Sequence, residues 1–557
     1  MPKRLWIMGL PSLLAAACSS SPVTQPPLAP CTATSAGQVS LGVGAYTTVD
    51  PTQTAGCAVF PANPAGSAIE YLVVPQSASS IPDDSQPFKL GGNALAAPPA
   101  PGAPLAGLSV AQQFDLRLRL AEREFAAQLP RPLRAPPRAP ALVTPVDSGN
   151  VRTFKVCNVL TCDPRKPSTL STVTATALKV GAHIAIYVDN AAPQPGLSQT
   201  DLDNLRAVFD TRLYETDTLA FSRESDIDNN GMVIVLMTGK VNSLVTAMTC
   251  QSPTGGFVAG YFFGADLITS GQFSTGNNGE IFYSIVPDAA GTLSCTHSVT
   301  AVTQLVPVTF VHEFQHMISF NQHVLVRGNL PEDLWLNEGL SHYAEENGGR
   351  TFLPDTASYC NYVFGDLYNA GQYFTAPQSH FLVDTAGIGG LANRGAYWLF
   401  VRYLVDQVGA TLGSADSVTR RLDMTAFTGP ANVSHAAGGT SFPTILEQWA
   451  LANYVSDLPG FSAPPELQYL TWRFRSAFPA LSIACNTTKI PAQFPLIPAV
   501  LDATSVQVAG MLHAGSGSYY RLQHAAGAPQ FSLLFSNSAG AALRTTLVPR
   551  LNVIRIQ

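Results

Sequence analysis

Apolar and polar residues alternate with two different periods along the chain, and the period changes several times. Over residues 31–92, short apolar runs are set off by Gly, Pro, Ser and Asn turns, with residues 68–74 the clearest strand. That is the pattern of a small β-sandwich, and it predicts an N-terminal β module over residues 31–100. From Ser109 to Gln128 the period becomes helical, with Phe114, Leu118, Ala121 and Phe125 on one face and Arg and Glu on the other. Residues 129–145 are rich in proline and hold no acidic residue. Residues 101–149 therefore read as one helix followed by a Pro-rich linker.

Beyond residue 150 the periods alternate, as expected of one large mixed domain over residues 150–480. Strands are predicted at 153–159, 173–178, 183–188, 232–237 and 280–286. Ser198 caps a helix over 200–214, with Leu202, Leu205, Phe209 and Leu213 inward. Further helices are predicted at 308–322, 331–347, 395–409 and 443–458. From about residue 490 to 557 turns return with short strands, such as 531–535, and predict a C-terminal β module. The expected class is α+β: a sheet with a helical lower half, flanked by small β-sandwich-like modules.

Composition narrows the class. The 557 residues suffice for two to four domains, and with 46% hydrophobic residues against 12% charged ones a large core is affordable. The net charge of −6 gives no basic surface for nucleic acid, which is excluded as a partner. Lys3 and Arg4, the apolar stretch 5–14 and Ala15-Ala16-Ala17 read as an export signal over residues 1–17. Cys18 follows directly and resembles the cysteine of a bacterial lipobox, with residues 18–30 as a Ser/Pro-rich tether. The expectation is an exported protein, anchored to the cell envelope (the outer membrane first) by a lipid on Cys18, or secreted. Eight further cysteines form an even set, as disulfides in an exported chain require. Neighbourhood suggests Cys31–Cys57, Cys157–Cys162 and Cys250–Cys295, which leaves Cys360–Cys485.

The chemistry lies at His312-Glu313-Phe314-Gln315-His316. Two histidines four apart share one helix face, which suits two ligands of one zinc ion with Glu313 free to act as base. Chance alone predicts roughly 0.004 such motifs in this composition. A third histidine six residues on would be the metzincin pattern, but Gln322 stands there, Ser319 replaces the required Gly, and His323 is one place out of register. The other source of a third ligand is a glutamate on the next helix, whose buried stripe is Trp335, Leu336, Leu340, Tyr343 and Ala344.

Glu338, in Asn337-Glu338-Gly339-Leu340-Ser341, stands 22 residues after His316. This arrangement resembles the gluzincin peptidases, the thermolysin-like superfamily, and the wording on both helices most resembles the hyicolysin family of bacterial zinc metallopeptidases. The resemblance covers about residues 300–350. It implies one zinc per chain held by His312, His316 and Glu338, catalysis by Glu313, a protein or peptide substrate, and a sheet edge, here the 280–286 strand, on which the substrate lies extended. It also implies a carboxylate four residues after the ligand glutamate to orient the first histidine. His342 stands there instead, so His342, Ser341, Glu345 or a backbone carbonyl must serve. Tyr397 and His380 are the positional candidates for a donor to the oxyanion. An aminopeptidase would need an exopeptidase motif that is not found upstream of His312, and a catalytically idle zinc protein would have no use for Glu313. A zinc endopeptidase is therefore expected.

Asp226-Ile227-Asp228-Asn229-Asn230-Gly231 opens like a calcium loop, but Met237 occupies the twelfth place, which excludes an EF-hand. A polar turn into a strand is one reading of it, and a lone calcium ion on Asp226, Asp228 and Asn230 the other.

Overall fold

The two ends of the chain fold together. In the computed structural model, which describes residues 26–91, 108–129, 146–252, 255–269, 271–385 and 390–557, the first strands are β1 (Tyr46–Val49), β2 (Cys57–Phe60), β3 (Ile69–Ser77) and β4 (Ser85–Gly91). The last are β11 (Ala499–Asp502), β12 (Gln507–His513), β13 (Tyr520–His524), β14 (Phe531–Asn537) and β15 (Pro549–Arg555). They do not build two modules. They interleave in a five-stranded sheet, β1-β15-β3-β13-β11, and a four-stranded one, β12-β4-β14-β2.

β3 explains why this sandwich is not a separate bead. Every residue of it is buried. Tyr71 and Val73 point into the sandwich core, where Phe60 stacks on Phe531 at 4.4 Å, whereas Leu72 and Val74 belong to the main core of the molecule. A strand covered on both faces reads as a continuous apolar run rather than an alternation, as Tyr71-Leu72-Val73-Val74 does.

Between the two ends lies an α+β body. Helix α1 (Val110–Gln128) is capped by Ser109, whose hydroxyl accepts from the Gln112 N–H while the Gln112 side chain reaches back to Ser109. Strands β5 (Val151–Cys157), β6 (Leu170–Val180) and β7 (Ile184–Asp189) follow. Helices α2 (Gln199–Val208) and α3 (Tyr214–Phe221), joined through a π-helical turn, return the chain to β8 (Val233–Met237). After the single turns α4 (Gly239–Asn242) and α5 (Ala247–Cys250) come β9 (Gly260–Phe262) and β10 (Ile281–Ser284). The sheet order is β5-β6-β7-β8-β10-β9, with β7, β8 and β10 parallel and the rest antiparallel. The 280–286 segment is thus not an edge: β10 is paired on both sides, and the edge next to it is the three-residue β9, with β5 at the far edge. A strand that short offers no period to detect.

The helical half holds α6 (Val299–Phe320), α7 (Leu334–Arg350), α8 (Thr356–Thr375) and α9 (Gly390–Leu412). It continues with α10 (Ala415–Asp423), α11 (Gly429–Ala436), α12 (Phe442–Val455) and α13 (Phe474–Ala484). Helix α6 begins nine residues before the predicted 308, capped by Ser298, and runs through Pro307, whose ring costs one backbone bond that burial of Val302, Val306, Phe310 and Val311 outweighs. Gly339 sets the approach of α7 to α9: a Cβ there would stand 2.8 Å from Tyr397 O.

All four disulfides join the expected partners, Cys31–Cys57, Cys157–Cys162, Cys250–Cys295 and Cys360–Cys485. No helix among the described residues is long and apolar enough to cross a membrane. The signal over residues 1–17, Cys18, the tether up to residue 25 and the linker from residue 130 lie outside the described residues.

Candidate metal centre and its cleft

Helix α6 places His312 and His316 one turn apart, with ring centroids 4.9 Å from each other. Helix α7 brings Glu338 against them: Oε1 lies 3.3 Å from His316 Nε2 and Oε2 3.7 Å from His312 Nε2. All three side chains are buried, and one ligand atom from each falls within 4.8 Å of the other two. His316 Nε2 and Glu338 Oε1 have no hydrogen-bond partner outside this group. Buried polar atoms left facing one another in this way call for a cation between them, and two imidazoles with one carboxylate are a donor set that suits zinc.

The electrostatics agree with that role. Burial, assisted by Arg119, pushes the His316 imidazole down to about 3, so it stays neutral and its lone pair is available. Burial works to raise the Glu338 carboxyl, but the Arg394 guanidinium and the two imidazoles override it and hold the group well below its usual range. Arg394 Nη1 stands 2.8 Å from Glu338 Oε2. It sits on α9, far along the chain, and nothing in the local pattern singled it out.

The residue that orients His312 is Glu345. Its Oε1 lies 2.6 Å from His312 Nδ1, which leaves Nε2 turned toward Glu338, and Ser341 Oγ is 3.2 Å from Nε2. His342 does not take that place. Its Nδ1 is 2.9 Å from Asp366 Oδ1 on α8 and 3.2 Å from Glu345 Oε1. Burial acts to lower the His342 imidazole, yet Glu345 and Asp366 raise it to about 10. Burial and the nearby Glu345 push the Asp366 carboxyl well above its usual range, so the charge on His342 is matched by Glu345. In return His342 overcomes the upward effect of burial on Glu345 and holds that carboxyl at about 2. The second carboxylate is thus present, one turn later than the resemblance implied. Asp366 was not foreseen, since only the crossing of α7 and α8 brings it near.

Glu313 faces the opposite wall. Its Oε2 accepts the Phe262 N–H from β9 at 2.9 Å, and burial raises its carboxyl to about 7, close to the pH at which a general base works best. A cleft of about 420 Å³ opens here, with Gly260, Tyr261, His312, Glu313, Glu345 and Arg394 among its walls. Tyr397 and His380 do not line it: the Tyr397 hydroxyl donates to Asp384 at 2.6 Å, and His380 packs near Tyr373. Neither is placed to serve an oxyanion.

The 226–231 loop gathers the carboxylates of Asp226 and Asp228 with that of Glu280. The Asn230 amide is spent on the loop itself, donating to Asp228 and accepting from the Met232 N–H. Glu280, at the start of β10, is the member that the loop sequence could not reveal. Arg152 Nη1 stands 3.0 Å from Asp228 Oδ2, so a positive charge already faces the loop.

With this geometry in view, the likeness of the chain to known proteins points to one class, the metalloproteases. It is 23% identical over 338 residues to the neutral metalloprotease ShpI of Staphylococcus hyicus, a match covering 58% of this chain and 67% of that protein. No family model matches the chain.

Proposed function

We infer that the protein is a zinc-dependent endopeptidase of gluzincin type, related to the hyicolysin family and exported to the cell envelope. The observation that carries this reading is the convergence of His312, His316 and Glu338 on one point, with Glu313 beside them at the mouth of a cleft. Likeness to a neutral metalloprotease supports it, and four disulfides accord with an oxidising compartment.

His312, His316 and Glu338 would hold one zinc per chain. When bound, the ion supplies Lewis acidity, which lowers the pKa of water to about 7 and favours negative charge on a carbonyl oxygen. Glu345 holds the His312 ring so that Nε2 stays directed inward. Glu313 takes the proton of the attacking water and passes it to the leaving amine. Arg394, beside Glu338 on the cleft wall, keeps that ligand ionised. The outward backbone groups of Gly260 on β9, and the Phe262 carbonyl when Arg119 withdraws from it, accept an extended peptide through main-chain hydrogen bonds, which makes binding tolerant of sequence.

Metal analysis of the purified chain, together with digestion of an unstructured protein such as casein by wild type and Glu313→Gln, tests the reading. One zinc in both and cleavage by the wild type alone support it. Equal cleavage by the two removes Glu313 from the chemistry, and no zinc in either removes the metal centre.

A further inference from the structure

Helix α1 lies across the proposed substrate edge. In an antiparallel edge strand the backbone groups of alternate residues face outward. The Ile285 N–H donates to the Ala259 carbonyl, so, two residues along, the inward pair in β9 is Tyr261–Tyr283, and Gly260 and Phe262 face away from β10. The outward N–H of Phe262 is held by Glu313 Oε2, and its outward carbonyl accepts from Arg119 Nη2 at 2.6 Å. Just past the strand, where a 3-10 turn begins, the Gly264 N–H gives its hydrogen to Glu122 Oε1 at 2.6 Å. A guanidinium donor thus stands where the N–H of an extended peptide would pair with β9, and the Glu122 carboxylate fastens the helix to the turn that follows the strand.

The same helix reaches the chemistry. Arg119 Nη2 lies 3.9 Å from Glu313 Oε2, and Asp115 Oδ2 lies 2.7 Å from Arg394 Nη2. Arg119 and Glu122 are buried, and they pair with each other at 3.2 Å. A helix that served only as a cover would turn its charges to water and bury its apolar stripe; α1 buries Phe114, Leu118 and Phe125 and these charged groups as well. Open space remains on both sides of it: the 420 Å³ cleft borders Gln112 and Asp115, and a second space of about 180 Å³ borders Arg119, Glu122 and Arg123.

We propose that α1 is an internal inhibitor, occupying the peptide-docking edge of β9 through Arg119, fastened by Glu122 to the turn after that strand, and holding Glu313 and Arg394, so that substrate enters only when α1 is displaced. This rests on the peptidase reading, because the blocked edge matters only if a peptide must pair with it. The helix acts as a competitor in the binding step and takes no part in bond cleavage.

The test is the full chain carrying Arg119→Ala and Glu122→Ala, with zinc content and melting temperature recorded beside the wild type. Cleavage of casein is expected to rise at least about tenfold, the effect of freeing a site otherwise closed in nine molecules of ten or more. A synthetic peptide of residues 109–128 added in trans is expected to bring the variant back toward the wild-type rate. Equal rates in wild type and the folded variant overturn the inhibition. If neither cleaves, binding of a labelled peptide hydroxamate decides: tighter binding by the variant keeps the inhibition and rejects the peptidase reading, and equal binding rejects the inhibition. Should the double variant not fold, Asp115→Asn, which removes the charge that pairs with Arg394 and with Arg119, carries the same comparisons.

Discussion

Glu345 Oε1 stands 2.6 Å from His312 Nδ1, seven residues beyond Glu338 on the same helix. One face of α7 therefore offers both the third donor of the metal centre and the carboxylate that orients the first. Glu345→Ala should leave the fold intact and lower zinc affinity by about 10- to 100-fold. Chelator titration measures it. His342→Asn, which removes a group one step further out, should cost less; a loss equal to that of Glu345→Ala would make His342 the orienting group.

Glu338→Ala should remove the bound metal at micromolar chelator concentrations, whereas Glu313→Gln should retain one zinc per chain. The two residues are both buried carboxylates beside His312, and only Glu338 turns an oxygen to both imidazoles. Zinc content after gel filtration separates them. Retention by Glu338→Ala would show that the chain has another third ligand.

Asp217 and Asp423 set a pH dependence away from the site. Burial, and for Asp217 the neighbouring Asp423, pushes both carboxyls well above their usual range. A carboxyl raised in the folded state favours folding fully below its unfolded value, near 4, and loses that contribution as pH rises through the folded value. Asp217→Asn cannot ionise and escapes this loss. The melting temperature of the variant should gain on that of wild type steadily as pH climbs above about 4. A difference that does not change with pH would mean that Asp217 is ionised in the folded protein.

The Cys360–Cys485 bridge ties α8, which carries Asp366, to the end of α13 across 125 residues. Replacing both cysteines by alanine should cost about 2–4 kcal/mol in urea unfolding, through the larger freedom of the unfolded chain. Zinc content should hold while the protein remains folded.

Cys18 follows a small-residue run in the manner of a lipobox. Cys18→Ser should move the protein from the envelope fraction to the medium with peptidase activity unchanged. Wild-type protein found wholly in the medium would remove the anchor.

His312, Glu313 and His316 were legible because a helix repeats every 3.6 residues, so a five-residue string states which side chains share a face. The same local rule marked α1, the stripe of α7 that presents Glu338, and the buried runs that became β7 and β8. Cysteine neighbourhood sufficed for three disulfides, and the fourth followed by remainder. What the sequence could not decide depends on contacts between segments far apart in the chain. His342 and Glu345 lie on adjacent turns of α7, and only the crossing of α7 with α6 and α8 gives His312 to Glu345 and His342 to Asp366. β10 was mistaken for an edge because pairing belongs to two strands, and β9 is too short to announce itself. The two terminal β segments share their sheets because β3 pairs with β13 and β15 and β4 with β12 and β14. β3 docks the sandwich on the body by burying both faces, Leu72 and Val74 on one and Tyr71 and Val73 on the other. The place of Arg119 against Phe262 and Glu313 was set in the same way: the helix is written in residues 109–128, and its address in the cleft is written in the residues it meets.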